Sequence, residues 1–158
     1  MPWITDSFSA TVSEAKNLIY QEFSLHADAV VSLCTQKEMI ERVTRELSMR
    51  TISKPRFNNL VRFILPLLVG KYFKETNEIW IIDGKGDDFP TLVHELLHSI
   101  QACSPHREGI VDFLTYKLTD DQTFVDPFLL KDWVEIEMLH GLESIKQRLL
   151  AQGDCEDF

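Results

Sequence analysis

The sequence predicts an α+β fold, with strands on one side of a helical layer. Three observations lead there. Apolar residues recur at helical spacing near both ends of the chain. Two short β-branched segments lie between those stretches. The resulting order is helix, strand, helix, hairpin, helices. Hydrophobic residues make up 44% of the 158 positions, with ten Phe, three Trp and three Tyr. That supplies the core of a single domain over 1–158 and argues against disorder.

The elements follow in order. Ser7 to about Phe23 alternates at helical period, with Asp6 or Ser7 as the cap. Ala29 to Cys34 (AVVSLC) reads as a buried strand. Gln36 to Ser48 carries Met39, Ile40, Val43 and Leu47 at three- and four-residue steps, an amphipathic helix. Phe57 to Leu68 is apolar but contains Pro66, so a helix is expected to stop before that proline. Lys71–Phe73 and Glu78–Ile82 flank the polar Glu75-Thr76-Asn77, which predicts a hairpin. Pro90 opens a helix to about Cys103, Glu108 begins another to Leu118, and a last helix is expected over Phe128–Leu150.

Composition excludes several classes. The formal charge is −9 and the basic residues are scattered, a poor match to nucleic-acid phosphates. The amino terminus lacks a basic start, an apolar core and a small-residue cleavage site, so no signal peptide is expected. The apolar run Phe63–Val69 is too short to span a bilayer. Cys34, Cys103 and Cys155 are odd in number and widely spaced, which suggests neither a disulfide framework nor a Cys-type zinc site. These features predict a reduced, cytoplasmic protein with no membrane or nucleic-acid partner.

Chemistry concentrates in Thr91–Leu118. His94 and His98 lie four apart on a predicted helix and therefore share one face, a turn from each other. Two imidazole nitrogens so placed can bind one tetrahedral Zn2+. Glu95 flanks that face, where it can hydrogen-bond a metal-bound water without ligating the metal. Val93, Leu96, Leu97 and Ile100 make the opposite side fit for burial. A catalytic zinc takes a third protein ligand. Glu108, at the start of the next helix, is the preferred candidate, and His106 is the other. Asp112, one turn after Glu108, can accept the free N–H of a zinc-binding histidine.

The segment His94-Glu95-Leu96-Leu97-His98, followed by Glu108 and Asp112 in an ExxxD arrangement, resembles the zincin metalloproteases, and among them the glutamate-ligand group, the gluzincins. The likeness covers Lys71–Leu118. It implies a small zincin-like domain with an antiparallel or mixed sheet, its edge hairpin packed on the active-site helix. It also implies a zinc-dependent hydrolase of peptide or protein substrates, with Glu95 as general base. The hairpin Tyr72–Ile82 resembles the edge strand that in this family aligns the substrate backbone. Nine residues separate His98 from Glu108, fewer than in the larger gluzincins. Gln101 and Ser104 stand where a metzincin needs Gly and His. Tyr116, Tyr72 and His140 are the candidates for a second electrophile at the oxyanion, Tyr116 foremost.

Two other readings compete. The chain can be a zincin-fold module that keeps zinc without catalysis. It also carries two ExxH segments, Glu95–His98 and Glu137–His140. With Glu41 or Glu46 and Glu108, these match the ligand order of a ferritin-like di-iron bundle. That reading leaves His94 without a role and puts a hairpin inside the bundle.

Overall fold

The computed structural model describes residues 1–105 and 107–158, and its fold is α+β. Helix α1 (Asp6–Phe23) is capped by Thr5, whose hydroxyl accepts the Phe8 N–H at 3.2 Å, one position before the expected cap. Strand β1 (Val30–Cys34) leads into α2 (Gln36–Ser48), capped by Thr35. The next stretch departs from expectation. After α3 (Lys54–Asn59) the chain continues as a π-helical turn, Leu60–Ile64, then a 3-10 turn, Leu65–Leu67, that contains Pro66. The Leu65 N–H reaches back to the Leu60 carbonyl, and Pro66 falls at the start of a new turn, where its missing N–H breaks no bond.

Strands β2 (Gly70–Phe73) and β3 (Glu78–Ile82) form the expected hairpin, turning through Asn77 at φ +52°. The sheet order is β1-β3-β2, with β1 parallel and β2 antiparallel to β3. Trp3 exchanges both backbone hydrogen bonds with Leu33 and so covers the outer edge of β1 (2.9 and 2.7 Å). Among the described residues, no strand pairs with the outer edge of β2. The two-residue period of β3 divides the core. Ile79 and Ile81 face α1, α4 and α5, while Trp80 and Ile82 pack with Met39, Val43, Leu65 and Phe73.

The second half of the chain is helical: α4 (Phe89–Ile100), α5 (Glu108–Thr119), a 3-10 turn (Gln122–Phe124), α6 (Pro127–His140) and α7 (Leu142–Leu150). The helix expected over Phe128–Leu150 is thus two. Gly141, at φ +83°, caps α6 by donating its N–H to Glu137, a backbone conformation that side-chain-bearing residues rarely adopt. Trp133, Ile145 and Leu149 are buried as the apolar pattern requires, but Met138, next to the break, is exposed. None of the described helices is long and apolar enough to cross a membrane.

The cysteines correct a second expectation. Cys103 and Cys155 form a disulfide across 52 residues of sequence, and Cys34 is buried and free. The bond forms because α7 returns to the end of α4: Leu149 O accepts the N–H groups of Ala102 and Cys103 at 2.8 and 3.2 Å. With this bond formed, the cysteines no longer argue for a reducing compartment.

Gly86 holds the connection from β3 to α4. A Cβ at this position would lie 2.3 Å from the Val69 carbonyl oxygen, which itself accepts the Ile82 N–H at 2.8 Å. Both contacts are backbone and cannot swing aside. Gly86→Ala is therefore expected to lower unfolding free energy by roughly 1–3 kcal/mol, as overpacking does. Urea denaturation followed by circular dichroism measures it, and an unchanged midpoint would show that the loop relaxes freely.

Candidate metal centre

Helix α4 presents both histidines because its start is firmly set and its far side is buried. Asp88 caps it, taking the Thr91 N–H at 2.8 Å and the Thr91 hydroxyl at 3.0 Å. Leu92, Val93, Leu96 and Leu97 are fully buried, which turns His94, Glu95 and His98 toward a cleft of about 730 Å3. The cleft lies between α4, α5 and the segment Leu67–Glu75 that includes β2. Gly70 allows the strand to pass close to the helix: a Cβ there would meet Ile81 Cδ1 at 2.7 Å and Glu95 Cγ at 3.4 Å. Glu95 is 7% exposed and lines the cleft beside this glycine.

Three donor atoms converge. Glu108 Oε2 stands 3.0 Å from His94 Nε2 and 3.1 Å from His98 Nε2. The potential ligand atoms of the three residues lie within 4.8 Å of one another. Donors on a tetrahedral zinc with bonds of ~2.0–2.1 Å are roughly 3.3 Å apart, so the contacts of Glu108 have the right scale. The hydrogen bonding also fits a cation. Gln101 Oε1 is an acceptor 3.0 Å from His98 Nδ1, so the ring proton belongs on Nδ1. The Nε2 of a neutral His98 is then a bare lone pair aimed at a carboxylate oxygen. A proton or a metal ion must lie between them.

Charge follows the same geometry. Burial disfavours the His98 imidazolium, but the hydrogen bond to Glu108 and the charges of Glu95 and Glu108 outweigh it and raise its pKa. Partial desolvation would raise the Glu108 carboxyl, yet its hydrogen bonds to His94 and His98 hold it far below the usual carboxylate range. Burial pushes the Asp112 carboxyl up to about 6; the charge of His94 opposes this rise and that of Glu108 adds to it. Asp112 Oδ1 is 3.4 Å from His94 Nδ1, a buried nitrogen that makes no hydrogen bond at that distance and angle. A small rotation of Asp112 would satisfy it.

The structure brings together His94, Glu95, His98, Glu108 and Asp112. His106, the other candidate ligand, lies outside the described residues. The candidate electrophiles are less well placed. Tyr116 does not line the cleft: its ring packs on Phe113 and its hydroxyl accepts from Gln122 Nε2 at 3.5 Å. Its position one turn beyond Asp112 carries it past the rim. His140 is exposed at the end of α6 beside Phe158. Tyr72 lines the cleft, but its hydroxyl donates to Asn77 Oδ1 at 3.0 Å in the hairpin turn. The second ExxH segment is also elsewhere, with Glu137 paired to Lys117 at 3.0 Å, and it adds no ligand to the cluster.

Three contributors were not expected from sequence. Phe124, in the 3-10 turn after α5, packs its ring 5.3 Å from His94, and neighbouring Thr123 joins the cleft wall. Gln101 orients His98. For Phe124 no local pattern reports the contact, since an aromatic in a polar turn is equally at home in solvent. Comparison with protein-family models, with curated protein sequences and with solved structures finds no match.

Proposed function

We propose that this chain is a zinc-dependent peptide hydrolase, with His94, His98 and Glu108 as metal ligands and Glu95 as general base. The observation that carries the reading is the convergence of three donor atoms on one point of a cleft that Glu95 also lines. Zinc held there would supply Lewis acidity to a water molecule and to the scissile carbonyl. Glu95, nearly buried and on the same helix as both histidines, takes the proton of the attacking water and returns it to the leaving amine nitrogen. Asp112 faces the rear nitrogen of His94 and steadies that ring.

The open edge of β2 gives the substrate a track. Val69 and Ile82 form a hydrogen-bonded pair, so antiparallel alternation puts Lys71 with Trp80 and Phe73 with Glu78 in bonded pairs. The backbone N–H and C=O of Gly70 and Tyr72 then point outward, and an extended peptide can pair with them. An elongated peptide is thus favoured over a small amide. A cytoplasmic setting belongs to the same proposal.

The experiment is metal analysis joined to a peptidase assay. Tag-free protein should carry about one zinc per chain by mass spectrometry, as one three-ligand site requires. It should cleave a denatured protein such as casein, lose activity to a zinc chelator and regain it with Zn2+. Two irons per chain would favour the di-iron carboxylate reading. Zinc without hydrolysis of any peptide would favour a non-catalytic metal-binding module.

A further inference from the structure

We propose that Gln101 is a positioning residue of the metal site, its amide oriented by the Cys103–Cys155 disulfide so that Oε1 holds His98 with Nε2 toward the metal. The inference rests on the zinc reading above and concerns how that site is set. Gln101 is 8% exposed, just beyond the end of α4. Its Oε1 lies 3.0 Å from His98 Nδ1. Its Nε2 lies 3.3 Å from Cys155 Sγ and 3.5 Å from Cys103 Sγ. The side chain spans the two groups, one end on the histidine and the other on the disulfide.

The chemistry of these two ends favours one direction. A primary amide can rotate by half a turn and exchange its oxygen for its NH2 group. Disulfide sulfurs carry no hydrogen and can only accept, so they favour the NH2 end. That leaves the oxygen for His98, which must then bear its proton on Nδ1 and keep the Nε2 lone pair free. The opposite rotation would put NH2 against Nδ1 and move the ring proton to Nε2, the atom that faces Glu108 at 3.1 Å. Nε2 could not then ligate.

The segment that carries Cys155 is fastened independently to the loop joining His98 to Glu108. Ser104 N donates to Gly153 O at 2.7 Å, and Arg107 pairs with Glu156 at 2.9 Å. The disulfide thus acts at the amide within a loop that other contacts already hold. Reduction by a dithiol would break the S–S bond and place two electrons and two protons on the cysteines, leaving the dithiol as a cyclic disulfide. The resulting S–H groups can donate to the amide oxygen, so the sulfurs no longer favour one rotation.

Zinc affinity, measured by competition with a chromophoric chelator, tests this without any substrate. Gln101→Leu should weaken Zn2+ binding about 10-fold or more, as loss of a histidine's hydrogen-bond partner does. Replacing both cysteines, Cys103→Ser with Cys155→Ser, should weaken it comparably, because hydroxyls donate as thiols do. Adding Gln101→Glu to the serine pair should restore affinity, since a carboxylate accepts at either oxygen and needs no orienting. A merely structural disulfide would not be rescued in this way. In the metal-free protein, above the titration of His98, long-range 1H–15N correlations should show its Nδ1–H tautomer in the wild type and a mixture in Gln101→Leu. If Gln101→Leu binds zinc within twofold of wild type, or leaves the tautomer unchanged, the positioning role is wrong while the zinc site stands. If the wild-type chain binds no zinc, the hydrolase reading falls, and this inference falls with it.

Discussion

Glu95→Gln is expected to keep the zinc and abolish hydrolysis. Glutamine matches glutamate in shape, so it fits the same narrow space beside Gly70, where an added Cβ would stand 3.4 Å from Glu95 Cγ. His94, His98 and Glu108 make no hydrogen bond that depends on Glu95. Zinc affinity should therefore stay within a few-fold, apart from the small loss of a negative charge near His98. What disappears is, among the described residues, the one nearly buried carboxylate of the cleft able to accept a proton from water without being a ligand. General-base loss costs about 10²–10⁴-fold, so turnover of a fluorogenic peptide should fall by at least the lower figure. The comparison needs wild type and variant at equal zinc occupancy. Equal turnover would remove Glu95 from the mechanism and point to a different base. A fall in activity that tracks a fall in bound zinc would make Glu95 a structural support of the ligands.

How much of this was legible in sequence depends on the range of the interaction. His94, Glu95 and His98 were readable because helical geometry alone decides which side chains share a face. The start of α4 came with them through Pro90, while the capping role of Asp88 did not. Glu108 and Asp112 were readable because few residues separate them from His98 and because the next helix starts at Glu108, with Asp112 one turn along on the same side. The disulfide was not: cysteines 52 residues apart carry no local mark of pairing, and their odd number argued against it. Gln101 was missed for the same reason, since its role exists only once Cys155 has returned to it. The break at Gly141 did carry a signal, a lone glycine, the residue that most readily takes the positive φ at which α6 stops. The apolar period ran through it on both sides and hid it. Continuation of the helical path through Pro66 reflects a π-turn, which has no sequence signature of its own.

Glu108→Ala should weaken zinc binding as severely as His98→Ala, with Asp112→Ala well behind. Among the described residues, Glu108 is the one group that approaches both imidazole Nε2 atoms, and through a single oxygen. Among the described residues, its removal leaves two imidazole nitrogens and no anionic ligand at the metal. A divalent ion so held loses both a bond and the charge that offsets its desolvation. The glutamate is also largely exposed, 64% at the side chain, so its replacement disturbs no core packing and the effect should be confined to the metal. Asp112 acts at one remove, 3.4 Å from the rear nitrogen of His94, and its loss should cost about 10–100-fold. Asp112→Asn tests the sign of that role. The asparagine oxygen still accepts an N–H, so affinity should lie between wild type and Asp112→Ala. Chelator competition on all four variants, with unfolding midpoints of the metal-free forms as a control, gives the ranking. A Glu108→Ala protein that holds zinc as well as wild type would end its assignment as third ligand. Abolition by His106→Ala in that case would move the assignment to the histidine, with the paired sites on α4 unchanged.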